Sequence, residues 1–371
     1  MKVRNFHSTH FLMYPWVQLQ CIFDKMTLRQ IKNLLELIFV KFEYFILSRA
    51  IQQRNITIIY SNNSKKFNNL TALSRALRLT KINFIELTPE ISIKNVYLLA
   101  SSRVVLVDQT NILISNVKLR KTTKLIQIWH AGGAYKKIAF DACNGTIKDL
   151  NRIKRIHGNT SYVVTSDCRL TDIYASAFKI PKKNVLPFWL LRSDEYYGKK
   201  KVRDSKRFVL WAPTFRTAAN GKRFCPLTIS EVNRVQKKLS ENGLTLALRL
   251  HPSLSWNSEY RALNWGSRNL LDCILNSDTI ITDYSSIIFD FSLFNGRIFW
   301  YITNKEEYIK ERGLYFDPAD LFPDFVTHTT DELVLKIICN KTENASAIRN
   351  RFMSACDGHA CDKITKFIQS L

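Results

Sequence analysis

Four polar residues interrupt a stretch that is otherwise apolar, ITDYSSIIFDF at positions 281–291: Asp283, Ser285, Ser286 and Asp290. The run TIITD predicts a buried strand, and open α/β sheets bind ligands at the carboxyl ends of their strands. Ser285 and Ser286 would then cap and begin a helix, where hydroxyls and free N–H groups can bind an anion. Asp290 lies one helical turn further on and could accept a hydrogen bond from a hydroxyl of the same ligand. The alternative is an ordinary helix cap beside a buried aspartate.

A second group of candidate residues lies in LALRLHP, positions 246–252. Arg249 and His251 are two residues apart, so at the carboxyl end of a strand both side chains point to one face. A guanidinium group grips phosphate oxygens in a forked geometry, and a histidine can donate to the leaving oxygen. The pair therefore predicts a diphosphate site, and a purely structural histidine is the alternative.

The third candidate segment is IQIWHAGGAYKK, positions 126–137, in which His130 ends a strand. The ordinary pKa of a histidine is close to neutral, which makes His130 the candidate general base. Gly132 and Gly133 would allow the backbone to approach a ligand closely, and Lys136 and Lys137 add positive charge. A histidine satisfied within the core is the alternative.

Strands and helices must bring these three candidate segments together. After residue 50 the chain alternates between apolar runs of strand length and helical patterns, which predicts βαβ units and parallel sheets. The predicted strands are NITIIYS (55–61), VVLVD (104–108), KLIQIWH (124–130), YVVTS (162–166), KNVLP (183–187), FVLWAPT (208–214), LTLALRLHP (244–252), TIITD (279–283) and RIFWYI (297–302). WAPTFR places Thr214 and Arg216 at another strand end. Helices are expected over 68–79, over 228–242 and from residue 285.

A basic segment, KKKVRDSKR at 199–207, is the predicted linker between two doubly wound α/β domains. We expect a basic, aromatic N-terminal segment over residues 1–54, a first domain over 55–198, a second over 199–355 and a C-terminal helix over 356–371. A length of 371 residues agrees with two cores rather than one.

The composition limits the possible partners and cofactors. A formal net charge of +24 predicts an anionic partner: nucleic acid, nucleotide phosphates or a lipid surface. The eight cysteines form no CxxC pair and no signal peptide is apparent, so we expect reduced thiols in a cytoplasmic protein. The sequence has no GxGxxG, GxxxxGK[ST] or DxD motif, so it implies neither a cofactor nor a bound metal.

Residues 31–50, IKNLLELIFVKFEYFILSRA, have helical apolar spacing but carry five charged residues, so they do not predict a membrane span. Two interpretations stay open. The helix packs on the first domain, or it lies in the surface of an anionic membrane together with the basic first thirty residues.

At this point the motifs resemble a known family. WHAGGAYKK, LLRSDEYY, LWAPTFR, LRLHP, TDYSSIIFDF and DGHACDK occur in the order seen in the CDP-glycerol glycerophosphotransferase family, and the resemblance extends over residues 55–371. It implies a GT-B-like fold, with an acceptor-side domain and a CDP-donor-binding domain facing across a cleft, and peripheral membrane binding. It also implies that His130 is the catalytic base. The donor would be surrounded by the following residues: Ala131, Gly132, Gly133, Ala134, Arg192, Pro213, Thr214, Arg249, His251, Ser285, Ser286 and Asp290.

Two segments depart from the family pattern. Trp189 and Leu191 stand where the family often has the glycine and proline of a GxPR segment, and HAGGA replaces the commoner HGTP form. These changes bear on the identity of the donor and the acceptor rather than on the fold.

The sequence is therefore interpreted as a transferase that moves glycerol phosphate, or a related polyol phosphate, from a CDP-activated donor to a hydroxyl group and releases CMP. The donor would be CDP-glycerol or CDP-ribitol. The acceptor would be lipid-linked or a growing teichoic acid or capsule polymer at the cytoplasmic face of an anionic membrane. One alternative is a GT-B glycosyltransferase that uses a nucleotide sugar. The other is a non-enzymatic, basic nucleic-acid-binding protein, although the basic residues lack the aromatic interleaving of single-strand platforms and we expect no nucleic-acid partner.

Overall fold

The computed structural model describes residues 27–60, 68–202, 207–218, 220–339 and 342–371. Six parallel strands form the first sheet, in the order β2-β1-β3-β4-β5-β6. They are β1 (Thr57–Tyr60), β2 (Phe84–Leu87), β3 (Val104–Val107), β4 (Lys124–Gln127), β5 (Thr160–Val164) and β6 (Val185–Leu186). Helices α1 (Leu28–Ala50), α2 (Asn69–Leu77), α3 (Ile93–Ser101), α4 (Ile147–His157) and α5 (Thr171–Phe178) accompany this sheet.

The central strands of this sheet are buried on both faces. Ile58 and Val105 belong to the core cluster that includes α1 and α3, whereas Ile59 and Leu106 belong to the cluster on the opposite face. Alternate residues of a strand point to opposite faces, so β-branched and leucine residues at every position suit a sheet that is covered on both sides.

A second sheet follows, again of six parallel strands, in the order β11-β10-β7-β12-β13-β14. Its strands are β7 (Arg207–Trp211), β10 (Leu244–Leu248), β11 (Leu263–Asn264), β12 (Ser277–Thr282), β13 (Arg297–Tyr301) and β14 (Val326–Thr327). A small antiparallel hairpin is formed by β8 (Arg216–Thr217) and β9 (Arg223–Phe224).

The helices of the second half are α6 (Ile229–Ser240), α7 (Leu270–Leu275), α8 (Ile287–Phe291), α9 (Lys305–Arg312), α10 (Pro318–Leu321), α11 (Thr330–Cys339), α12 (Ala345–Phe352) and α13 (Ala360–Ser370). Helix α13 packs against the first domain. The Phe367 ring lies 4.9 Å from that of Tyr162, and the Asp194 carboxylate accepts hydrogen bonds from the N–H groups of Ala360 and Cys361. The C-terminal helix therefore ties the two halves together.

Two parallel sheets with helices on their faces confirm the predicted fold class. The structure also contains elements that the sequence interpretation lacked, among them β2 and α3. The first is an edge strand whose only buried residue is Leu87, so it carries a weak hydrophobic signal. Arg249 and His251 lie just beyond the end of β10 rather than within the strand. Of the predicted linker, residues 203–206 lie outside the described residues.

Helix α1 agrees with the first interpretation of the N-terminal segment, packing on the first domain, while its binding to a membrane surface stays a prediction. It packs on the first domain through Val40 and Tyr44, which are buried, while Phe39, Phe42 and Phe45 are more than half exposed. Residues 1–26 of the predicted N-terminal segment lie outside the described residues. Within the described ranges, no helix is both long and apolar enough to cross a membrane.

Candidate active site

A cleft of about 890 Å³ lies between the carboxyl ends of the two sheets. It is lined by these predicted site residues: His130, Arg192, Pro213, Thr214, Arg249, His251, Ser285, Ser286 and Asp290. Residues that are up to 160 positions apart in the chain therefore meet at one place, as expected for parallel strands whose carboxyl ends share an edge.

His130 is placed on the cleft wall by a sharp turn after β4. Trp129 adopts a left-handed backbone conformation with φ of 62°, and its carbonyl accepts a hydrogen bond of 2.8 Å from the Asn69 amide. The Arg192 guanidinium donates to the His130 carbonyl at 2.9 Å. These bonds fix the backbone of the turn and direct the ring toward the cleft.

The surroundings of His130 favour the neutral imidazole. Burial and the positive charges of Arg192 and Lys136 lower its pKa to about 4, although a hydrogen bond between the ring and the Asp108 backbone acts in the opposite direction. The residue nevertheless remains exposed to the cleft. A neutral imidazole that faces a substrate cleft is the form that can accept a proton.

The glycines that follow His130 make close contacts with protein atoms. A Cβ on Gly133 would lie 2.1 Å from the Phe289 ring, and one on Gly132 would lie 2.7 Å from the Met353 side chain. Gly133 also has φ of 60°, and its N–H donates to the Ser166 hydroxyl at 2.7 Å. Both glycines thus allow the loop to pack against the second domain and α12.

Ala131, Gly132, Gly133 and Ala134 are not among the described residues that line the cleft. Their predicted contact with the donor stays a prediction. Steric requirements of the protein itself already account for the two glycines.

Arg192 and Asp290 form a bidentate ion pair across the cleft. The Arg192 Nη2 and Nε atoms lie 2.8 and 3.1 Å from the two carboxylate oxygens, and both side chains are largely buried. The Arg192 N–H also donates to the Asn69 side chain at 3.0 Å. Asp290, predicted to bind a ligand hydroxyl, is therefore held by an arginine of the first domain.

Asp283 organises the strand ends of the second sheet. Its carboxylate accepts hydrogen bonds from the N–H of Thr214 at 2.8 Å and from its hydroxyl at 2.7 Å, and it forms a buried ion pair with Arg216 at 2.9 Å. The Tyr135 hydroxyl donates to the Asp283 carbonyl at 3.0 Å. This carboxylate at the end of an apolar run therefore positions the Thr214 loop rather than facing the ligand itself.

Ser285 and Ser286 lie in the connection between β12 and α8. The helix begins at Ile287, whose N–H donates to the Ser285 hydroxyl at 3.3 Å, and Ser286 precedes it without a capping bond from its own side chain. Both serines line the cleft. The Ser286 hydroxyl is thus available to a ligand, and its contact with the donor stays a prediction.

Arg249 and His251 also line the cleft, just beyond the end of β10. The His251 ring packs against Phe215 at 4.7 Å, and its Nδ1 atom lies 2.7 Å from the Ser253 hydroxyl. Burial and the charges of Arg223, Lys136 and Arg249 lower the pKa of His251. An anion bound between these groups would reverse that effect and favour the protonated, donating ring.

Asp108 and Lys136 are among the cleft residues that were not chosen as site residues from the sequence. Asp108 directly follows β3, and Lys136 comes six residues after His130. Both could have been found from their position at strand ends, but only the fold shows that they face the same cleft. Among the described residues, no group of three or more His, Cys, Asp or Glu side chains is arranged to hold a metal ion.

The family model of CDP-glycerol:poly(glycerophosphate) glycerophosphotransferases matches residues 20–370. The chain belongs to this family. The glycerophosphotransferase resemblance seen in the motifs is thereby confirmed, and so is the assignment as a transferase enzyme. Family membership favours the polyol-phosphate transferase over both the glycosyltransferase and the nucleic-acid-binding alternatives.

Relatives to which the chain is similar are named as teichoic acid primases and polymerases. The chain is 28% identical over 300 residues to the teichoic acid ribitol-phosphate primase of Bacillus spizizenii, which covers 74% of this chain and 77% of the relative. It is 28% identical over 298 residues to the teichoic acid glycerol-phosphate primase of Bacillus subtilis (strain 168), with 75% and 76% covered. A teichoic acid poly(ribitol-phosphate) polymerase of Bacillus spizizenii is 25% identical, with 72% of this chain but 46% of the relative covered.

Among solved structures, the wall teichoic acid polymerase TagF superposes with a TM-score of 0.71 at 19% identity, covering 93% of this chain and 96% of that one. A TagF variant soaked with CDPG gives a TM-score of 0.71 at 17% identity, with 93% and 98% covered. At these identities the likeness establishes the shared fold. It agrees with the two facing α/β domains of this glycerophosphotransferase.

Proposed function

We propose that this chain transfers glycerol phosphate or ribitol phosphate from a CDP-activated donor to a hydroxyl group of a lipid-linked or growing polymer, releasing CMP. The observation that carries the proposal is the meeting of a neutral His130, from the first domain, with the cationic and hydroxyl groups of the second domain in one cleft. A base on one side and anion-binding groups on the other are what a phosphoryl transfer requires.

In this proposal the donor diphosphate lies between the paired serines and the Arg249–His251 wall. The hydroxyls of Ser285 and Ser286 donate to phosphate oxygens, while Arg249 and His251 balance the charge of the leaving CMP. Arg192 remains paired with Asp290 and holds the two domains in their relative positions. Thr214 and Pro213 line the same part of the cleft, so they contact the nucleotide side of the donor.

The chemical step follows from this arrangement. His130 accepts the proton of the acceptor hydroxyl, and the resulting oxygen attacks the β-phosphorus. A new bond forms between that oxygen and phosphorus, the bond from the β-phosphorus to the bridging oxygen breaks, and CMP leaves with the bonding electron pair. Lys136 lies within electrostatic range of both His130 and His251, so its ammonium group stabilises the charge that develops between them.

The same proposal places the protein at a membrane surface. The exposed phenylalanines of α1 and the net charge of +24 suit a helix that lies in the surface of an anionic leaflet. A lipid-linked acceptor would then be presented to the cleft from the cytoplasmic face of the membrane, with the protein bound peripherally.

A donor panel tests the proposed function. Purified protein is incubated with CDP-glycerol, CDP-ribitol, UDP-glucose or UDP-N-acetylglucosamine, with and without acceptor, and nucleotide release is measured. We expect CMP from at least one of the two CDP-polyols and a further increase when acceptor is present. UDP release without CMP from either polyol donor would instead support a glycosyltransferase.

A further inference from the structure

Asp108 differs from the other buried aspartates at the strand ends. Asp283 is paired with Arg216, Asp290 with Arg192, and Asp167 accepts hydrogen bonds from Arg169 and Ser354. Asp108 is only 6% exposed, yet within the described part of the chain its carboxylate receives a hydrogen bond only from its own backbone N–H. A buried carboxylate to which no cation is hydrogen-bonded destabilises the fold, so its presence needs another explanation.

The carboxylate faces the substrate cleft from the side of the catalytic base. Asp108 follows β3 and His130 follows β4, which are neighbouring parallel strands with Val107 opposite Gln127. The His130 ring donates a hydrogen bond to the Asp108 backbone, and both residues line the cleft. The second ring nitrogen of His130 is then the one that can receive a proton.

The charge of Asp108 indicates what it can bind. The cationic groups that suit a diphosphate, Arg249 and His251, belong to the second domain. A carboxylate in the first domain would repel phosphate but accepts hydrogen bonds strongly from hydroxyl groups. Burial also raises the pKa of Asp108 to about 6, with the charge of Arg192 acting in the opposite direction, so the group is ionised at neutral pH.

Two hydrogen-bond acceptors thus belong to one cleft and follow neighbouring strands, the free ring nitrogen of a neutral His130 and the carboxylate of Asp108. Two neighbouring hydroxyl groups match this pair, because one can donate to each acceptor. A polyol chain that ends in adjacent hydroxyls has this chemistry.

We propose that Asp108 is the residue that positions the acceptor: its carboxylate accepts a hydrogen bond from the hydroxyl adjacent to the one that His130 deprotonates. Resting on the proposed transfer reaction, this assigns a terminal vicinal diol as the acceptor end that the first domain recognises. Asp108 binds and orients the acceptor, while His130 removes the proton.

The test compares two acceptors and two variants. One acceptor is a short oligo(glycerol phosphate) that ends in glycerol, and the matched acceptor ends in 1,3-propanediol and so lacks the hydroxyl adjacent to the terminal one. Wild-type protein should prefer the diol in kcat/KM by on the order of 10- to 100-fold, the effect of one hydrogen bond to a charged group. The Asp108→Asn variant should lose most of this preference through a higher KM for the diol.

Donor binding and stability serve as independent readouts. Asp108→Asn should leave the affinity for CDP, measured by calorimetry, unchanged, and should not lower Tm, since the amide removes a buried, unpaired charge. Asp172→Asn is the matched control, because Asp172 belongs to the same domain but is exposed and paired with Lys182. The control should keep the wild-type preference.

Each result that differs from these expectations contradicts one specific part of the proposal. An Asp108→Asn variant that retains the diol preference, or that loses CDP affinity and Tm together, overturns the positioning role. Equal use of both acceptors by the wild type, or transfer to neither, overturns the assignment of a vicinal diol as the acceptor end. Failure to release CMP from any CDP-polyol in the donor panel would contradict the proposed function instead.

Discussion

Arg192 and Asp290 connect the two domains through the floor of the cleft, with Nη2 of the guanidinium 2.8 Å from one carboxylate oxygen and Nε 3.1 Å from the other. The arginine also donates to the carbonyl of His130. One side chain therefore links the second domain to the turn that carries the proposed base.

Removing one member of this pair should strongly destabilise the protein. Asp290→Ala leaves a buried guanidinium without its partner, and we expect the free energy of unfolding to fall by roughly 3–5 kcal/mol. The double variant Arg192→Met, Asp290→Leu should recover most of that stability while activity stays low, because the His130 carbonyl has lost its donor. Chemical denaturation measures the stability, and CMP release measures the activity. A double variant with wild-type activity would show that Arg192 is not needed to hold the His130 turn.

The general base is tested by replacing His130 with glutamine, which keeps hydrogen-bonding capacity but cannot accept the proton. Turnover should fall by on the order of 100-fold or more, while CDP affinity and circular dichroism remain unchanged. Unaltered turnover with CDP-glycerol and acceptor would show that another group removes the proton.

The pH dependence should report Lys136. Burial lowers its pKa to about 8; the nearby Asp283 raises it, and Arg312 and Arg216 lower it further. The amine is charged below this value and neutral above it, so kcat/KM should decline as the pH rises through about 8. His130, with its pKa lowered to about 4, is already neutral throughout this range. In Lys136→Arg the alkaline decline should disappear, and its persistence would assign the titration to a different group.

The paired serines should matter for the donor more than for the acceptor. Ser285→Ala with Ser286→Ala removes two hydroxyls from the cleft, and each hydrogen bond lost to a charged phosphate should weaken binding by roughly 1.5–3 kcal/mol. Calorimetry with CDP measures this loss. Thr282→Ser is the control, since the Thr282 hydroxyl donates to the buried Ala212 carbonyl rather than facing the cleft.

Much of the fold could be predicted because each central strand carries its own local signal. Runs such as VVLV and TIIT consist of β-branched residues and leucine, a pattern that indicates burial on both faces. The edge strand β2 lacked that signal, since Phe84, Ile85 and Glu86 are partly or fully exposed. Local patterns therefore fail where burial is incomplete.

The site was predictable to the extent that its residues follow strand ends. His130, Arg249 and Ser286 could be chosen in this way, but the partner of each side chain depends on the packing of the domains. Asp283 and Asp290 have similar surroundings in sequence, yet one organises a loop and the other pairs with an arginine almost 100 residues away. Trp189, which stands where the resemblance expects glycine, has φ of 88° and is buried, so its neighbours hold a backbone that glycine adopts without strain.

Helix α1 should bind membranes through its exposed apolar face. Phe39, Phe42 and Phe45 are 57%, 61% and 53% exposed, so replacing all three with serine removes no core contact. Transfer of each side chain from water to a lipid surface should contribute up to about 1.5–3 kcal/mol. The triple variant should therefore co-sediment much less with anionic liposomes while its Tm remains unchanged.

The control variant replaces Ile147 and Leu150 of α4, which are also exposed, and should leave membrane binding intact. Raising the salt concentration should release the triple variant more readily than the wild type, because only electrostatic attraction remains to hold it. Equal co-sedimentation of the triple variant and the wild type at every salt concentration would exclude α1 as the membrane-binding element.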